Sequence, residues 1–82
     1  MRVVIITGGS SGIGRGIAEA FVKENAQVVI IGRNKEKLKS TAQAIGFNCV
    51  WQQADISKRN EVTEVVNFIV QQYGNIDVLV NA

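Results

Sequence analysis

The groups in this chain that could meet a phosphate are concentrated in residues 7–14: Thr7, Gly8, Gly9, Ser10, Ser11, Gly12, Ile13 and Gly14. Glycines let bare backbone N–H groups approach a ligand closely, and an N–H-lined concavity favours anions. An unbroken β-branched run, Val3, Val4, Ile5 and Ile6, leads into this stretch, and an amphipathic segment from residue 13 to about residue 23 leads out. A strand, a glycine-dense turn and a helix N-terminus in that order aim unpaired N–H groups and a partial positive charge at one point. The spacing is G-x-x-x-G-x-G. It is neither the common G-x-G-x-x-G dinucleotide fingerprint nor a Walker A loop, since no Gly-Lys-Ser/Thr follows. Nucleotide binding is the reading these residues favour; the competing one is a turn that serves packing alone.

Other chemistries are restricted by composition. The chain has no histidine, so histidine general bases and histidine metal sites are impossible, and no metal site is expected. Its single cysteine, Cys49, excludes an internal disulfide and reads as a small core residue rather than a reactive thiol. Nine basic and seven acidic residues give a net charge of +2. The one basic concentration, Arg33, Lys35, Lys37 and Lys39, is broken by Glu36 and has no aromatic stacking platform beside it. It reads as a solvated helix face, with no nucleic-acid partner expected. The apolar runs fall well short of the ~18 residues of a membrane span, and no secretory leader precedes the first strand. No membrane association and a cytoplasmic location are the expectations.

The elements that must position the glycine loop follow from periodicity. Ile13, Ile17 and Phe21 recur at i, i+4 and i+8 on a first helix, and Asn25 suits a left-handed stop after it. Val28, Val29, Ile30 and Ile31 repeat the first strand's composition and end at Gly32. Asn34 can cap a second helix whose Leu38, Ala42 and Ile45 share a face and which ends at Gly46. Residues 48–53 read as a third strand, with Cys49 and Trp51 on one face and Val50 on the other. Ser57 can cap a third helix carrying Val62, Val65, Val66, Ile69, Val70 and Tyr73, closed by Gly74. Residues 76–80 are a fourth strand. The resulting β-α-β-α-β-α-β order predicts an α/β fold: a Rossmann-like, doubly wound parallel sheet of strand order 3-2-1-4. Ligands of such sheets bind beyond the carboxyl ends of the strands where the order reverses, which is where the glycine loop and Asn81 fall.

Three spaced motifs together resemble the short-chain dehydrogenase/reductase family: T-G-x-x-x-G-I-G at residues 7–14, Asp55 with Ile56 after the third strand, and D-V-L-V-N-A at residues 77–82. The resemblance covers the whole chain. It implies that Gly8, Gly12 and Gly14, with Ile13 between them, shape a pyrophosphate site, and that Ser10 and Ser11 offer hydroxyls near the phosphates. It further implies that Asp55 accepts from the adenine amino group next to the Ile56 backbone, and that Asn81 lines the floor near the cofactor ribose. Asp55 could instead be a turn residue ahead of the third helix. Asn81 could tie the strand ends together, a role compatible with the first. The family's asparagine motif continues further than the Asn81 and Ala82 present here.

The end of the second strand bears on the choice of cofactor. Enzymes using NAD generally carry an acid there for the ribose hydroxyls. This chain has Gly32, which removes the repulsion that a 2′-phosphate would meet. Arg33 follows, a planar guanidinium suited to bidentate phosphate contact, with Asn34 and Lys35 in reach to assist. NADP(H) is therefore expected over NAD(H), against the plainer possibility that Arg33 is a solvated strand-end residue.

The family's chemistry resembles a tyrosine acid/base with a lysine four residues on, helped by a serine and often an asparagine, all after the fourth strand. Tyr73 has Asp77 at that spacing and reads as packing, so no catalytic residue is assigned. A 3-2-1-4 sheet with one helix on its second face also leaves the fourth strand a bare edge and much of the first strand uncovered. Residues 1–82 are accordingly expected to be the N-terminal part of one longer Rossmann domain. The whole protein is then expected to be an oxidoreductase moving hydride between NADP(H) and a small carbonyl or alcohol substrate, homo-oligomeric by family resemblance. The alternative is a non-catalytic NAD(P)-binding module or cofactor sensor.

Overall fold

The computed structural model describes all of residues 1–82. Seven elements alternate: β1 (Val3–Thr7), α1 (Gly12–Lys23), β2 (Gln27–Gly32), α2 (Lys35–Ile45), β3 (Cys49–Gln53), α3 (Arg59–Tyr73) and β4 (Val78–Asn81). All four strands are parallel in the order β3-β2-β1-β4, the doubly wound Rossmann-like arrangement that the alternation implies.

Side chains alternate across a strand, so each β-branched run feeds two cores. Val4, Ile6, Val28, Ile30 and Cys49 face one way and meet Ala18 of α1 with Leu38 and Ala42 of α2. Val3, Ile5, Val29 and Ile31 face the other way and meet Val65 and Ile69 of α3. Trp51 joins the first core and Val50 the second, as the strand reading required. Helix ends carry the expected stops: Asn25 adopts φ 65° after α1, and Asn34 Oδ1 caps α2 by accepting from Lys37 N at 3.1 Å.

Four expectations are corrected. β1 is not left uncovered: its residues are 0–8% exposed, because it lies between β2 and β4 with α3 over the second face. The unsatisfied apolar surface lies further out, at Leu79 on β4 and at Phe68 and Val70 on α3. Ile13 does not join the apolar face of α1. It sits in the first turn beside the loop, 76% exposed and outside both cores. Ser57 does not cap α3; the N-cap position is Lys58, one residue later and without a side-chain cap, and the Ser57 hydroxyl donates to Asp55 Oδ1. β4 begins at Val78 rather than residue 76: Asp77 Oδ2 accepts from Val3 N at 2.8 Å, taking the place of a backbone carbonyl.

Candidate functional site

The glycine loop leaves the carboxyl end of β1 with Gly8 at φ +71°, a left-handed conformation that a side chain disfavours. Gly8 N donates to Ile31 O at 3.0 Å and ties the loop to β2. Ser11 then folds the loop onto α1. Its N–H donates to Gly8 O at 3.0 Å and its Oγ donates to the same carbonyl at 2.6 Å, while Oγ accepts from Gly14 N at 3.2 Å as the N-cap of the helix. The Ser11 hydroxyl proton is thus committed within the loop, whereas the Ser10 hydroxyl has no partner in the protein.

The loop's glycines differ in the room around them. A Cβ on Gly14 would strike the Gly8 carbonyl oxygen and lie 2.9 Å from Gly9 Cα, and one on Gly9 would strike the Ile30 side chain. Around Gly12 a Cβ would meet nothing within 4 Å. The protein therefore needs no glycine at Gly12 for its own packing, and the space there is open to a ligand. The N–H groups of Ser10, Gly12 and Ile13 donate to nothing in the protein. Unpaired donors at a helix N-terminus are the elementary parts of an anion site.

Beside the loop, Thr7 Oγ1 donates to Asn81 Oδ1 at 2.8 Å, and Ala82 N donates to Thr7 O at 3.1 Å. Asn81 ties β4 to β1 through its carbonyl oxygen and keeps its amide N–H groups free.

On the other side of the loop a cavity of about 380 Å³ lies between the ends of β2 and β3, walled by Gly8, Gly32, Arg33, Asp55, Ile56 and Ser57. A Cβ on Gly32 would make only ordinary contact, 3.5 Å from Leu38, so packing does not demand the missing side chain. Gln53 Nε2 donates to Arg33 O at 3.0 Å and fixes the backbone there, while the Arg33 guanidinium joins no ion pair. Asp55 accepts at Oδ1 from Ser57 Oγ at 2.7 Å and Ser57 N at 3.0 Å. Those two hydrogen bonds, with the charges of Arg33 and Lys58 nearby, hold its carboxyl below the usual carboxylate range against a smaller desolvation effect. Asp55 N donates to Glu61 Oε1 at 2.9 Å. Asp55 thus shapes the turn before α3 and lies on the cavity wall.

The supporting roles of Gln53, Ser57, Glu61 and Asp77 were not anticipated. Their signal was available for Ser57 alone, as a hydroxyl two residues after an Asp. Cys49 is buried and its thiol is pushed up to about 11 by desolvation, consistent with an inert core residue. Tyr73 packs against the second core. The largest concavity, about 470 Å³, lies elsewhere under Phe47 and Trp51 and collects no polar site residue. No helix is long and apolar enough to cross a membrane.

A parallel 3-2-1-4 sheet with a glycine loop at its reversal point defines an α/β unit of the Rossmann type. The chain belongs to the short chain dehydrogenase family, whose model matches residues 2–82. Among solved structures, a short chain dehydrogenase from Bacillus anthracis superposes with a TM-score of 0.94 at 43% identity, over 99% of this chain and 34% of that one. The 3-ketoacyl-(acyl-carrier-protein) reductase from Brucella melitensis, complexed with NADH, gives 0.89 at 38% identity over 95% and 32%. A variant of actinorhodin polyketide ketoreductase with NADPH gives 0.93 at 33% identity over 99% and 32%. The chain spans about a third of the length of the curated relatives it matches first.

Proposed function

We propose that the whole protein is an NADP(H)-dependent oxidoreductase in which residues 1–82 supply the cofactor site and none of the catalytic residues. The observation that carries the cofactor preference is the end of β2: Gly32, where packing would tolerate a side chain, is followed by Arg33 with an unpaired guanidinium on the cavity wall. In this reading the free N–H groups of Ser10, Gly12 and Ile13, with the Ser10 hydroxyl, take the pyrophosphate in the space beside Gly12. Arg33 takes the 2′-phosphate, and Asn34, whose Oδ1 is spent on capping α2, assists through its amide N–H. Asp55 accepts from the adenine amino group, the Ile56 N–H faces the same base, and Asn81 lines the ribose side. Bound cofactor supplies a hydride to a carbonyl or takes one from an alcohol. The substrate is a small molecule, and the family resemblance supports a homo-oligomer.

The test is the affinity of the whole protein for each cofactor. NADP(H) is expected to bind at least about tenfold tighter than NAD(H), a difference of about 1.4 kcal/mol. Arg33→Asp should reverse the order by placing a carboxylate where the 2′-phosphate would sit. Equal or tighter NAD(H) binding by the wild type would refute the preference. Reversible NADP(H) binding by the whole protein, without turnover on any carbonyl or alcohol, would favour the sensor instead.

A further inference from the structure

Three consecutive residues after β3 divide their hydrogen-bonding groups unequally. The N–H of Asp55 goes to Glu61 Oε1 at 2.9 Å, and the N–H of Ser57 goes to Asp55 Oδ1 at 3.0 Å. Between them the N–H of Ile56 has no partner in the protein. The Asp55 carboxylate is divided in the same way: Oδ1 takes both the Ser57 N–H and the Ser57 hydroxyl, the latter at 2.7 Å, while Oδ2 takes nothing. One acceptor and one donor from adjacent residues are left unpaired beside the cavity. An amino group next to an unprotonated ring nitrogen, as on the edge of a 6-aminopurine, presents the matching donor and acceptor.

We propose that Ser57 is a positioning residue for base recognition, turning the Asp55 carboxylate so that Oδ1 is occupied and Oδ2 stays free for the 6-amino group. The inference rests on the cofactor reading above and extends it to a residue that acts on the base through Asp55. A carboxylate on an exposed loop has freedom about two side-chain torsions. Two donors on one oxygen remove it, and the 2.7 Å hydroxyl bond is the shorter of the two.

The experiment measures affinities of the whole protein for NADP(H) and for its analogue carrying purine, with hydrogen in place of the 6-amino group. Ser57→Ala should weaken NADP(H) binding about three- to tenfold, the scale of one hydrogen bond to a charged group. Its affinity for the purine analogue should stay within about twofold of wild type, which also reports an intact fold. Ser57→Thr, which keeps the hydroxyl, should restore the NADP(H) affinity. Equal losses on both ligands, or none on either, would overturn the positioning role. Asp55→Ala separates this from the parent reading. A selective loss of NADP(H) affinity in Asp55→Ala without one in Ser57→Ala defeats only the positioning role. No selective loss in Asp55→Ala defeats adenine recognition by Asp55 itself.

Discussion

The glycine loop and the rim after β3 face the same cavity but are specified by opposite means. In the loop, side chains are missing because atoms already occupy the space: Gly14 lies against Gly8, and Gly9 against Ile30. At the rim, side chains are present because they hold one another: Ser57 and Glu61 hold Asp55, and Gln53 holds the backbone of Arg33. A substitution in the loop is therefore judged by the room for one carbon. A substitution at the rim is judged by which donor or acceptor loses its partner. Gly14 tolerates least, since its near neighbours are backbone atoms that cannot rotate away.

The contrast is sharpest within the loop itself, between two glycines two residues apart. Gly14→Ala drives a Cβ into the Gly8 carbonyl oxygen that also receives both donors of Ser11. Relieving it breaks the cap of α1, so a loss of about 3 kcal/mol or more is expected, a large part of ordinary domain stability. Gly12→Ala meets nothing within 4 Å and should leave the unfolding midpoint nearly unchanged. Its cost should fall on the ligand, as at least about a tenfold loss of NADP(H) affinity. Denaturant unfolding and cofactor titration of both variants decide it. If Gly12→Ala binds as the wild type does, the open side of the loop is not the side a ligand uses.

How much of this was legible in the sequence depends on what kind of fact it is. The strands, helices and sheet order follow from alternating β-branched runs and 3.6-residue apolar faces, which act on many residues at once. The position of the glycine loop at the reversal point follows with them. Single side chains were harder to place. Ser57 looks like a helix cap because serine accepts well there. The helix starts one residue later than that, with Lys58 at the N-cap position, and the Ser57 hydroxyl turns back to the Asp55 carboxylate two residues upstream. Ile13 has the spacing of a core residue, but periodicity does not say where the sheet edge passes, and it is left outside. Asp77 fell inside a strand-like run, yet its carboxylate replaces a strand carbonyl. Local partner choice among polar groups is decided by geometry that no one-dimensional pattern contains.

At the rim the corresponding prediction concerns protons rather than room. The Asp55 carboxyl titrates lower in the fold than in an unfolded chain, through Ser57 first and then the charges of Arg33 and Lys58; Glu61 shares the turn. A group with a depressed native pKa contributes stability above its unfolded pKa of about 3.9 and loses it as pH falls through the native value. Asp55→Asn should thus be slightly less stable than wild type near pH 6, and the two should converge in urea melts as the pH falls through the native value. The difference stays small because the group is solvent-exposed. A gap that persists at low pH would mean that Asp55 acts through shape rather than charge. In the same titration, Ser57→Ala should move the acid limb of cofactor binding upward toward the ordinary carboxylate range.

The smallest expected effect tests whether the loop's glycines are special at all. Gly16 lies within α1, two residues beyond Gly14, and a Cβ on it would meet nothing within 4 Å. Unlike Gly12, it is past the first turn, where N–H groups are paired along the helix and none is left for an anion. Glycine there brings only the entropic cost of its freedom in the unfolded chain. Gly16→Ala should therefore stabilise the protein by about 0.5–1 kcal/mol and leave NADP(H) affinity unchanged. A thermal melt shifted up by a few degrees with an unaltered cofactor titration is the expected pair of results. Lost affinity in Gly16→Ala would extend the ligand's footprint one turn up α1. Lost stability would mean that α1 is packed more tightly on that side than the open space around Gly16 indicates.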